Sequence, residues 1–91
     1  MRAAIICRDK AGALSVRQEN RPMHLEYLRS TGVVEQAGPF LDENGGMCGS
    51  LLILNVGTLA EAQAWAAADP YAKAGLFESV TVIEWNRVIG G

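Results

Sequence analysis

A chain of 91 residues, 49% hydrophobic and 20% charged, makes one domain over residues 1–91, and folding hides only about two thirds of its unfolded surface. The formal charge is −2 and the eight basic residues are scattered from Arg2 to Arg87, so no basic strip offers a footprint to nucleic acid. Two cysteines, Cys7 and Cys48, and a single histidine supply neither a disulfide scaffold nor zinc-ligand spacing, so no metal is expected and both thiols read as buried and reduced.

No apolar run reaches the ~18 residues a membrane span needs, and Met1 to Cys7 lacks a cleavage-type sequence, so a cytoplasmic protein with no membrane partner is expected. Ala3-Ala4-Ile5-Ile6-Cys7, closed by Arg8-Asp9-Lys10-Ala11-Gly12, has the pattern of a central strand buried on both faces. Ala13 to Asn20 is weakly helical. Pro22 then suits the first turn of a new helix or a bend between two, and that helix ends at Gly32 as its C-terminal cap. His24, Leu25 and Leu28 share one side of it.

A second strand covers Val33 to Leu41, with Gly38-Pro39 expected to bend it. The polar double-glycine turn Asp42-Glu43-Asn44-Gly45-Gly46 joins it as a hairpin to a third strand, Met47 to Val56. Thr58-Leu59-Ala60-Glu61 is a capping box that opens an alanine-rich helix. Asp69-Pro70 ends that helix, because a residue before proline is pushed out of the helical region. One further turn from Pro70 to Ala74, closed by Gly75, precedes a last strand from Phe77 to Ile89 with Glu78 and Glu84 exposed.

The fold class is therefore α+β, in the β-α-β-β-α-β order of ferredoxin-like domains, with helices on one face of an antiparallel sheet. Strands one and three lack the polar alternation that an open second face requires. Covering that face with a second copy gives a homodimer, a dimeric α+β barrel packed sheet to sheet.

His24 is the one side chain whose ordinary pKa lets it take and give a proton near neutrality. The start of a helix disfavours a charged ring there. The plainer alternative is a histidine that bonds a carbonyl and only packs. Asp69 is equally suited to cap the Pro70 turn, and with two oxygens it can cap with one and face an imidazole with the other. Ser50, after Gly49, offers a hydroxyl without the Gly-x-Ser-x-Gly setting of a nucleophile. Arg21 can anchor a carboxylate or phenolate, or simply pair at the surface. Tyr71 can close a pocket or pack, and Phe40, beside the expected bend, is the aromatic placed to meet a ligand.

Asp9-Lys10, Arg21-Pro22-Met23-His24-Leu25, Ala37-Gly38-Pro39, Gly49-Ser50, Glu61-Ala62-Gln63-Ala64-Trp65 and Ala68-Asp69-Pro70-Tyr71 occur in this order along the chain. With them the sequence resembles the YciI-like family of small dimeric proteins, related to muconolactone isomerase-like proteins, essentially from end to end. The resemblance implies a pocket in each subunit lined by the family's histidine and aspartate, which carry over onto His24 and Asp69. A relative that dehydrochlorinates a chlorinated hydroxyquinol implies that the scaffold hosts proton transfer on a small aromatic compound. The chain departs from some relatives in its short loop, Asp42 to Met47.

Three readings follow. The first is a lyase or isomerase-like enzyme in which His24, held by Asp69, moves a proton on a small cyclic or aromatic oxygenated compound without any cofactor. The second is a dimeric module that binds a small molecule without turnover. The third is a structural domain with no pocket.

Overall fold

The computed structural model describes residues 1–90. Its elements are β1 (Arg2–Asp9), α1 (Leu14–Ser30), β2 (Val34–Leu41), β3 (Met47–Asn55), α2 (Leu59–Ala68), α3 (Pro70–Lys73) and β4 (Phe77–Trp85). The sheet order is β2-β3-β1-β4 and every neighbouring pair is antiparallel. This is the ferredoxin-like α+β fold, with β1 in the interior of the sheet.

The strand register sorts side chains into two faces. Ala3, Ile5 and Cys7 align with Leu54, Leu52 and Ser50, and the apolar members of these rows pack against Ala62, Trp65 and Ala66 of α2. Ala62 and Ala66 stand one turn apart, so their small side chains let α2 lie close to the sheet. Ile5, Leu52 and Leu54 are almost completely buried, each stabilising the fold by about 1.5–3 kcal/mol. At the far end of α1, the Tyr27 hydroxyl donates to the Trp65 carbonyl at 2.9 Å and the Trp65 indole donates to Thr31 Oγ1 at 3.0 Å. These bonds fix α1 beside α2.

The other face carries Ala4, Ile53 and Ile83 in one row and Ile6, Leu51 and Thr81 in the next. Leu51 is 38% and Ile83 53% exposed.

Local signals place most element ends. Thr58 Oγ1 accepts from the Glu61 amide while the Glu61 carboxylate accepts from the Gly57 amide, so α2 starts at its capping box. Asp42 Oδ1 accepts from the amides of Asn44 and Gly46, both at 2.9 Å, which closes the hairpin turn. Gly32, at φ +70°, follows the end of α1.

Three expectations are corrected. No helix starts at Pro22: α1 runs unbroken from Leu14 and contains it. The proline removes one helical hydrogen bond, but Arg17 before it and His24 after it are each tied to the rest of the molecule, and these ties hold both halves in one helix. Pairing of β2 with β3 is unbroken across Gly38-Pro39, and the irregularities fall at Val34/Gln36 and Phe40/Leu41 instead. An edge strand tolerates proline because the missing amide costs no inward bond. Finally, β4 ends at Trp85 rather than Ile89, since Trp85 pairs with Arg2 and β1 has no earlier residue in its ladder.

Candidate active site

The sequence Asp-Pro explains the first half of the site. Asp69 lies at φ −59°, ψ 131°, outside the helical region as its neighbour Pro70 demands, so it ends α2 and caps α3 at once. Its Oδ1 accepts from the Tyr71 amide at 2.9 Å and lies 2.8 Å from His24 Nδ1. One oxygen therefore serves both roles, where one oxygen for each was expected. The capping geometry aims Oδ1 at the face of α1 that passes the start of α3. An ionised carboxylate only accepts, so Nδ1 carries the shared proton, and in the neutral ring Nε2 presents its lone pair.

In the second half the sequence points to Ser50 but not to Arg17 or its pairing with Asp9. Arg17, two turns before His24 on the same face of α1, is 3% exposed. Its Nε and Nη2 donate to the two oxygens of Asp9 at 2.7 and 2.9 Å, and Nη2 also donates to Ser50 Oγ at 2.9 Å. Asp9 stands at the end of β1, where the pairing with β4 shifts register between Arg8 and Asp9, a bulge that sets the carboxylate over the start of α1. Two helical turns separate Arg17 from His24 by about 10.5 Å, and the Tyr71 ring occupies that gap. It stacks on the His24 ring with centroids 3.8 Å apart and planes at 13°, and lies 4.7 Å from the Arg17 guanidinium carbon.

The spacing 17, 21, 24, 28 is the signal that would have found Arg17. Starting the helix at Pro22 cut Arg17 out of that stripe.

Burial lowers the affinity of Arg17 for its proton, but the hydrogen bonds and charge of Asp9 outweigh it and hold the guanidinium above its ordinary value. Burial pushes the Tyr71 phenol up, against the pull of Arg17 and Arg21. Cys7, on the core side of the site, is pushed up to about 12 by burial, with the charge of Asp69 adding to it.

These groups face a cleft of about 120 Å³. Its polar wall is Arg17, Arg21, His24, Ser50 and Tyr71, and its apolar wall comes from Leu25, Leu28, Leu52, Met47 and the Ala37-Gly38-Pro39 segment. A closed apolar cavity of about 150 Å³ takes one benzene ring, so the room suits a compact ring compound. Arg21 sits at the exposed rim, while Ser50 and Tyr71 are buried in the floor. Phe40 does not join them. Adjacent strand residues face opposite ways, so Phe40 points to the outer sheet face, with the Arg8 guanidinium 4.6 Å over its ring. Among the described residues, no group of three or more His, Cys, Asp or Glu could hold a metal ion, and no helix is long and apolar enough to cross a membrane.

The model of the YCII-related domain family matches residues 1–86. Protein YciI of Escherichia coli O6:H1 is 40% identical over 93 aligned residues, covering 92% of this chain and 95% of that protein. A 5-chloro-2-hydroxyhydroquinone dehydrochlorinase from Burkholderia phenoliruptrix, solved in complex with 2,5-dihydroxybenzoquinone, superposes with a TM-score of 0.85 at 33% identity, over 94% of each chain. An antibiotic biosynthesis monooxygenase, at 13% identity and a TM-score of 0.60 over 97% of this chain and 98% of its own, shares the fold alone. On the strength of the family match and the close relatives, this chain belongs to the YCII-related domain family.

Proposed function

We propose that the protein is a small homodimeric enzyme of the lyase or isomerase kind, in which His24 moves a proton on a small cyclic or aromatic oxygenated compound. The observation that carries this reading is the 2.8 Å bond between His24 Nδ1 and Asp69 Oδ1, which leaves Nε2 as the free nitrogen of a residue lining the cleft. In the proposed step, Nε2 takes a proton from a C–H or O–H of the ligand. The electron pair of the broken bond enters the ring system, and the imidazolium that forms is balanced by Asp69. Return of the proton to another ring atom completes an isomerisation. Departure of chloride, with the proton passed to water, completes a dehydrochlorination.

The similarity to a dehydrochlorinase supports the second outcome. A dimer through the outer sheet face would cover Leu51 and Ile83, at about 25 cal/mol per Å² of apolar area removed from water. The reading includes a cytoplasmic location, which the free thiols of Cys7 and Cys48 suit.

Turnover of chlorinated and hydroxylated aromatics, beginning with 5-chloro-2-hydroxyhydroquinone, tests the proposal in wild type and His24→Ala. Loss of a general base lowers the rate by about 10²–10⁴-fold. Equal rates in the two proteins would remove His24 from the chemistry. Binding without turnover of any compound would select the alternative reading, a dimeric ligand-binding module.

A further inference from the structure

We infer that the cleft selects its ligand as an oxyanion, a planar carboxylate, phenolate or enolate held by Arg17, Ser50 and Tyr71 with its reacting edge toward His24. This rests on the site proposed above and adds the charge and orientation of what it binds.

The first observation is the chemistry of the wall. Five polar side chains line the cleft, two of them arginines, and no carboxylate is among the lining residues. Asp9 and Asp69 stand one layer behind, hydrogen-bonded to Arg17 and His24. Apart from the Nε2 lone pair of His24, a ligand therefore meets cations and donors.

The second is the donor inventory. The hydrogen bonds to Asp9 and Ser50 use Arg17 Nε and Nη2, and the guanidinium is also coupled by charge and hydrogen bonding to the Tyr71 phenol beside it. Ser50 Oγ accepts from Arg17, so the hydroxyl proton is free to donate elsewhere, and Ser50 faces the cleft while only 3% exposed. Both groups are buried and line the same cleft. Asp9 holds the guanidinium in that pose, so an incoming anion meets a fixed donor and does not have to order a flexible one.

The third is shape. Ala37-Gly38-Pro39 and Leu52 supply flat apolar wall, which suits the faces of a ring and leaves its oxygen to the polar end. The same donors would stabilise negative charge that builds up on the ring oxygen as His24 Nε2 removes a proton.

Calorimetric titration with benzoate and benzamide, equal in shape and different in charge, tests this on the intact protein. Wild type is expected to bind benzoate at least about tenfold more tightly, since hydrogen bonds to a charged group are roughly twice as strong as neutral ones. Ser50→Ala and Tyr71→Phe are each expected to reduce that preference several-fold, and neither removes the buried Arg17–Asp9 pair. Equal affinity for the two compounds, binding of neither at millimolar concentration, or a preference unchanged in both variants would overturn the inference. His24→Gln separates it from the enzyme reading: the benzoate preference should persist while turnover is lost. Wild-type turnover without any anion preference would refute the clamp alone, and an anion preference without turnover would refute the enzyme alone.

Discussion

Asp69 joins two structural duties on a single oxygen, and removing it should cost accordingly. In Asp69→Ala the Tyr71 amide loses its cap, worth about 1 kcal/mol, and the His24 Nδ1–H, on a ring only 6% exposed, is left without an acceptor at about 1–3 kcal/mol. The expected loss is about 3 kcal/mol in all, which for a domain of this size lowers the melting temperature by on the order of 15 °C. Thermal unfolding followed by circular dichroism measures it. Asp69→Asn makes the informative comparison. The Tyr71 amide still requires an acceptor at the Oδ1 position, so the amide oxygen should settle there and His24 should keep its proton on Nδ1. Stability should then stay within about 1 kcal/mol of wild type, and ring nitrogen NMR should show an unchanged tautomer. An Asp69→Ala protein melting within about 4 °C of wild type would refute the argument that this oxygen ties α1 to α3. An Asp69→Asn protein as unstable as Asp69→Ala would show that charge, and not the acceptor position, is what matters.

Other outcomes follow from the same geometry. A Cβ on Gly49 would clash with the Cys7 carbonyl oxygen, so Gly49→Ala should push β1 and β3 apart and destabilise by about 1–3 kcal/mol in urea unfolding. At pH 8 a thiol reagent should modify Cys48, which is partly exposed, while Cys7 reacts only as fast as the protein opens. Because the folded chain keeps the Cys7 proton up to about 12 against a reference of 9.0, the unfolded chain binds fewer protons in that window. Stability should therefore fall as pH rises from about 9 toward 12, with a shallower slope in Cys7→Ala. If the outer sheet face is a homodimer interface, Ile83→Lys, at a position 53% exposed in the single chain, should sediment as a monomer where wild type sediments as a dimer.

How far the sequence reveals the fold depends on the range of the interactions that decide it. The capping box at Thr58, the Asp42 turn and the Asp-Pro stop at Asp69 are local chemistry, and each forms where its residues stand. The course of α1 is different. Pro22 is a local signal to break, but ties from Arg17 and His24 to residues on β1, on β3 and at the cap of α3 override it, and those ties span 8, 33 and 45 positions of the chain. Without them the stripe joining Arg17 to His24 is invisible, so Arg17 and its pairing with Asp9 go unread. Phe40 follows a shorter-range rule: strict alternation after Pro39, which lines the cleft, sends the next side chain to the opposite face.

The groups that hold and move protons sit on α1, α3 and the inner strands, whereas Ala37, Gly38, Pro39 and Met47 come from either side of the β2–β3 hairpin. Reactivity and molecular taste are thus carried by separable pieces of chain. Lengthening or trimming the five-residue loop between the two strands would reshape the mouth of the cavity while leaving the stacked rings of His24 and Tyr71 in place, which gives such a scaffold a simple route to new ligands without rebuilding its chemistry.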